Sequence, residues 1–226
     1  MTAQSSEILL YEGRPEMLRS LPLDHYLEER KLHMRDLSDG YSTALWRGYV
    51  GVWELADDTL YLCGLFDFMG EPFDPSLVFG DQRLPLRADW FSGVLNLERG
   101  DRLTYVHMGW ASMYSQRLRL YVERGRIIRR RRFDQTKVLR RRFALQMKDE
   151  EFVAAMGKNP LRECAPLWGF TSAGLAALGY KEPPGDMSVW PGNEPADGDE
   201  ESAVDAWMRS YTERSSRPPP QPMPPR

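Results

Sequence analysis

The chain has 226 residues, 42% apolar and 28% charged, with a formal net charge of −3. That is enough for one domain with appended segments and a genuine core, and no run approaches the roughly 20 apolar residues that span a bilayer. The N-terminal MTAQSSEILLYEG shows no basic region followed by an apolar one, so the expectation is a cytoplasmic protein without a membrane partner.

The first predicted element is a strand at Glu7–Glu12, closed by Gly13. A short helix is expected over Asp24–Lys31, with Asp24 as N-cap and with Tyr26 and Leu27 turned inward. His25 and His33 fall in or beside it and read as solvated. Thr43–Leu65 reads as a hairpin turning at Ala56-Asp57-Asp58. Leu45, Arg47, Tyr49, Gly51, Trp53 and Leu55 fall on one face of its first strand at period two. Residues 67–85 are rich in Gly, Pro and Asp and are expected to be irregular, apart from an apolar run at Leu77–Phe79.

A second hairpin is expected from Trp90–Leu97 and Leu103–Met108, turning at Glu98-Arg99-Gly100-Asp101. A third has Leu118, Leu120 and Val122 alternating with Arg119, Tyr121 and Glu123, turns at Arg124-Gly125 and returns through Ile127–Phe133. Val138–Leu145 suggests a further strand, with Leu139, Phe143 and Leu145 on one face. Helices are expected at Lys148–Met156 and at Ser172–Leu178, the second closed by Gly179. Ser202–Tyr211 has the spacing of a short helix, and ten of the seventeen prolines lie from Pro183 onward. Strands first and helices afterwards predict an α+β fold with a predominantly antiparallel sheet of hairpins or a meander, and short helices at the N-terminus and in the C-terminal third. The expected organisation is a β-rich core over 1–147, a helical extension over 148–182 packed on it, and a Pro-rich acidic tail over 183–226, partly disordered.

The patterns GxSxG, HExxH, GxxxxGK[ST] and GxGxxG are all missing. Cys63 and Cys164 are the only cysteines and read as buried thiols, so no catalytic residue, cofactor or metal is expected. Ser92 or Ser112 with His107 as base is the one nucleophilic arrangement that the drawn hairpin permits, and it lacks a third group to orient the base. Residues 117–142 carry twelve Arg and Lys against two acids, about +10, which leaves about −13 on the rest of the chain. In Arg126–Phe133 (RIIRRRRF), arginines alternate onto both faces of a strand, so this end has to project beyond the core.

Trp46-Arg47-Gly48-Tyr49-Val50-Gly51-Val52-Trp53, Leu60-Tyr61-Leu62, Ala88-Asp89-Trp90-Phe91-Ser92-Gly93 and Tyr105-Val106-His107-Met108-Gly109 together resemble a family of uncharacterised small bacterial proteins. Some members of that family are encoded beside Rhs-type or polymorphic toxin genes. The resemblance covers about Ile8–Phe133, and where this chain has RIIRRRRF the family strand is more acidic. It implies a non-enzymatic accessory or immunity-type protein that binds another protein, such as a toxin domain.

The leading functional expectation is therefore a non-catalytic, protein-binding module that acts by occlusion. Its binding residues would be Trp90, His107, Trp110 and Tyr114 as anchors, with Arg129, Arg130, Arg131 and Arg132 for electrostatic complementarity. The alternative is a nucleic-acid-binding accessory protein using the Arg-rich hairpin 117–142, and a third reading is an enzyme centred on His107.

Overall fold

A computed structural model describes residues 3–37, 42–149 and 169–179. Its strands are β1 (Glu7–Tyr11), β2 (Arg14–Leu18), β3 (Val50–Ala56), β4 (Thr59–Phe66), β5 (Leu86–Arg87), β6 (Gly93–Thr104), β7 (Met113–Glu123) and β8 (Arg126–Asp134). Its α-helices are α1 (Asp24–Glu29), α2 (Ser76–Phe79), α3 (Gln135–Gln146) and α4 (Ser172–Ala177). A 3₁₀ turn covers Met34–Leu37.

The strands pair in the order β3-β1-β2-β6-β7-β8-β4-β5, and β3 also pairs with β4, so seven strands form a closed ring with β5 hanging from β4. The expected antiparallel, β-rich fold is present, with two corrections. The sheet closes on itself instead of running as a meander, and β1 pairs with β3 in parallel, Leu9 opposite Trp53. Closure removes free edges almost everywhere. The thinnest seam is β4–β8, which meets at Thr59↔Arg126 and through Ile127 N–H to the Asp58 carbonyl at 2.8 Å.

Three hairpins turn on two residues with positive φ. These are Glu12-Gly13 (52° and 74°), Asp57-Asp58 (47° and 59°) and Arg124-Gly125 (45° and 73°). This is the type I′ geometry, whose twist matches that of the flanking strands. The last two turns are where the sequence places them. The first exposes a strand the pattern misses, β2, whose Pro15 and exposed residues disguise it.

Inward side chains at period two fill the barrel, among them Leu9, Leu18, Leu62, Leu95, Leu97 and Leu120. Tyr26 and Leu27 of α1 pack inward as expected, and Tyr26, Phe79 and Trp90 cluster with ring centroids 4.9–5.8 Å apart. Asp24 opens α1 without capping it. Leu23 is the N-cap residue, and the Asp24 carboxylate accepts from Tyr49 Oη at 3.0 Å instead.

The second hairpin is overturned. Gly93–Thr104 is one continuous strand paired with β7 from Gly93↔Val122 to Thr104↔Met113. Glu98 and Gly100 look like turn residues, but Glu98 is buried in the ladder opposite Arg117, and Gly100 (φ 73°) sits in a bulged stretch where Asp101 N–H donates to Ser115 Oγ at 3.0 Å. The strand expected at Val138–Leu145 is instead part of α3. Asp134 caps it, accepting from the backbone N–H of Thr136 and Lys137, and Leu139 with Phe143 one turn on meets Leu103, Phe170 and Leu175 in a small second core. The helix expected at Ser172–Leu178 is α4, with Gly179 at φ 99° beyond its end. Residues 150–156 of the expected preceding helix, Cys164 and the tail lie outside the described residues.

Glu12 is exposed and carries a left-handed φ without the short polar side chain that tolerates it. Glu12→Asn is expected to raise the unfolding free energy by about 0.5–1 kcal/mol. Urea denaturation checks this, and a loss of stability would contradict the turn assignment.

Candidate functional site

The arginine ribbon is built by β7, β8 and the start of α3. Arg119 lies opposite Arg131, Tyr121 opposite Arg129, and Arg117 opposite Phe133. Opposed residues of an antiparallel pair share a face, so these six line the outside of the barrel wall whose inner side is Leu118, Leu120 and Val122. The guanidinium groups of Arg119 and Arg131 lie 5.0 and 5.3 Å from the Phe133 ring centre, and that of Arg129 lies 5.8 Å from Tyr121. On the opposite face Arg130 pairs with Asp58. With Arg132, Tyr11, Glu12, Leu55 and Asp57 they line a cleft of about 680 Å³ at the barrel mouth.

Arg117 pairs with Glu98 at 2.5 Å and Lys137 with Asp134 at 3.7 Å. Arg129, Arg131, Arg132, Arg141 and Arg142 are all exposed and make no ion pair among the described residues. The projection expected for RIIRRRRF is thus a strand running past the end of its neighbour β4.

The aromatic anchors do not share one surface. Trp90 is half-buried, and its Nε1–H donates to the Pro22 carbonyl at 3.0 Å. Trp110 donates Nε1–H to the Gln4 carbonyl at 3.0 Å, and Arg19 donates to the Trp110 and Ser112 carbonyls at 3.0 and 2.6 Å. Tyr114 lies under the Arg19 guanidinium at 4.9 Å and borders a cleft of about 480 Å³ shared with Glu16, Arg102 and Tyr105. His107 is exposed, with Nδ1 at 2.7 Å from Tyr105 Oη. Trp90 and His107 flank opposite ends of β6, whose twelve residues span roughly 40 Å. The same length separates Ser92, which accepts from the Arg124 N–H at 2.9 Å, from His107. The imagined Ser92–His107 pair therefore does not form.

A buried polar centre was missed by the sequence reading. Glu7 is fully buried on the inward face that Leu9 and Tyr11 continue. Its carboxyl accepts from Trp53 Nε1–H at 2.5 Å and lies 3.5 Å from Arg47 Nε. Arg47, also buried, donates to the Ser5 carbonyl at 2.9 Å and packs 5.3 Å from the Tyr49 ring. Its Nη2 has no hydrogen-bond partner among the described residues. Asp24, Glu28, His33, Trp46, Arg47 and Tyr49 border a cleft of about 280 Å³. Burial pushes the Glu7 carboxyl up to about 8, against the pull of Arg47 and the Trp53 donor; burial likewise raises Asp24 and, well above its usual range, Tyr49. The signal lay in the alternation of Glu7, Leu9 and Tyr11, which puts a carboxyl on a core face.

Among the described residues no cluster of three or more His, Cys, Asp or Glu side chains is disposed to hold a metal ion, and no helix is long and apolar enough to cross a membrane. No protein family, no curated protein and no solved structure matches this chain.

Between its ordinary value of 4.5 and about 8, Glu7 binds more protons folded than unfolded. Its contribution to stability is whole below about 4.5 and is lost as pH climbs through about 8. Glu7→Gln is expected to remove that slope, so that melting temperature between pH 5.5 and 8.5 falls less than in the wild type. Identical slopes in the two proteins would contradict the assignment. A Cβ at Gly51 would meet Trp53 Nε1 at 2.7 Å and Glu7 Oε2 at 2.8 Å. Gly51→Ala is therefore expected to cost about 1–3 kcal/mol in urea unfolding.

Proposed function

We propose that this chain is a non-catalytic binding module that holds an acidic protein surface against the arginine ribbon of β7, β8 and α3. The observation that carries the reading is the exposed, contiguous run of arginines on both faces of β8, with only Arg130 paired to an acid among the described residues. The ring faces of Phe133 and Tyr121 are already covered by guanidinium groups. That favours fork-shaped recognition of carboxylates over stacking of single-stranded bases. Trp90 and Trp110 have committed their N–H groups within the chain, so the anchoring energy is assigned to the ribbon. The neutralisation of a toxin by occlusion, which the sequence resemblance implies, is one form this activity takes. A cytoplasmic address belongs to the same proposal, in keeping with the buried thiol of Cys63.

The reading predicts binding to poly-L-glutamate that weakens as salt rises from 50 to 300 mM. It also predicts affinity about tenfold lower in the triple variant R129Q/R131Q/R132Q. Isothermal titration gives both numbers. Tighter, equally salt-dependent binding to a duplex DNA or RNA of matched charge would replace the acidic protein with a nucleic acid as the partner.

A further inference from the structure

We infer that the outer edge of β8 accepts an extended acidic segment of a partner protein as an added strand. The inference rests on the acidic-partner reading and specifies how that partner is held. One edge of β8 is paired with β7 along its length, from Glu123↔Arg126 to Gln116↔Asp134. The other edge meets β4 only at Thr59↔Arg126 and the Ile127–Asp58 hydrogen bond, because β4 begins at Thr59 and β8 runs on past the Asp57-Asp58 turn. From Ile128 to Asp134 that edge has no strand partner among the described residues. Ile128 is 64% exposed there, and Arg129–Arg132 are exposed beside it.

An open edge presents every second N–H and C=O to an incoming chain, and charge is the usual guard against indiscriminate pairing. Here the guard is four consecutive arginines. It repels another copy of β8 and admits a strand of opposite sign. Side chains of the added strand would alternate, half of them opposite Arg129 and Arg131 on the outer face and half opposite Arg130 and Arg132 on the inner. Cβ separations in such pairs are about 4.5–5.5 Å, within reach for ion pairs. The cleft of about 680 Å³ beside Arg130 and Arg132 leaves room for the inner set, which meets Glu12, Asp57 and Asp58 there and has to displace Asp58 from Arg130, so the outer pair Arg129 and Arg131 supplies most of the attraction. The ligand class is therefore a peptide with about four successive carboxylates in extended conformation. Backbone hydrogen bonds supply affinity, and the arginines supply selectivity.

The test uses the full chain and the blocked heptapeptide acetyl-Thr-Glu-Glu-Glu-Glu-Val-Thr-amide. Two further versions are N-methylated on one or the other alternate set of peptide nitrogens. Strand addition is expected to make one methylated version at least tenfold weaker and to leave the other near the parent. Equal binding of all three peptides would overturn strand addition while leaving the electrostatic reading intact. Failure of the parent peptide and of poly-L-glutamate alike would remove both. A variant neutralised at Asp197, Asp199, Glu200 and Glu201 is expected to bind the parent peptide as the wild type does. A tenfold gain would instead assign the edge to this chain's own acidic segment and overturn the assignment to a partner.

Discussion

One carboxyl group, shut away from water inside a ring of strands, is the constraint on which much else depends. Glu7 opens β1, receives the indole N–H of Trp53 from β3 and faces the guanidinium of Arg47 from the segment before β3. β1 and β3 form the parallel seam of the barrel, the one neighbouring pair that no hairpin could make. A polar group there costs solvation, which its raised proton affinity reflects, and the Trp53 N–H and the Arg47 guanidinium offset part of that cost. Gly51 is the corollary: the strand must be bare where the carboxyl and indole meet.

Ring closure has an uneven outcome. Six of its seams are strand pairs with extended or partial registers, while β4 and β8 share a single bridged pair. The mismatch arises because β4 starts directly after a two-residue turn, whereas β8 continues for another seven residues. Those residues cannot contribute to the interior and are free to carry charge. Part of the charge of about +10 in residues 117–142, that of Arg129–Arg132, sits on the stretch that outruns β4 and is thus compatible with a well-packed core.

Much of this was legible from residue patterns. The hairpin β7–β8, its Arg124-Gly125 turn and the projection of its arginines follow from strict alternation. Tyr26 and Leu27 follow from helical spacing. What escaped was set by distant partners. Glu98-Arg99-Gly100-Asp101 has turn composition, but Arg117 across the ladder keeps Glu98 in the strand, and a bulge absorbs Gly100. Leu139 and Phe143 satisfy either period over so short a stretch, and Asp134 as cap decides for the helix. The parallel pairing of β1 with β3 leaves no local mark at all. The candidate anchors fared unevenly for the same reason. Composition identified Trp90 and Trp110 as large amphipathic side chains, but only the fold shows where their N–H groups are spent.

Asp134 is both the last residue of β8 and the cap of α3, so strand and helix share a residue with no linker between them. Such a junction joins the two elements without a loop. On one side of it is the arginine strand; on the other, α3 carries Leu139 and Phe143 into the cluster with Phe170 and Leu175. The arginine strand thus runs directly into the helix that packs against residues 169–179.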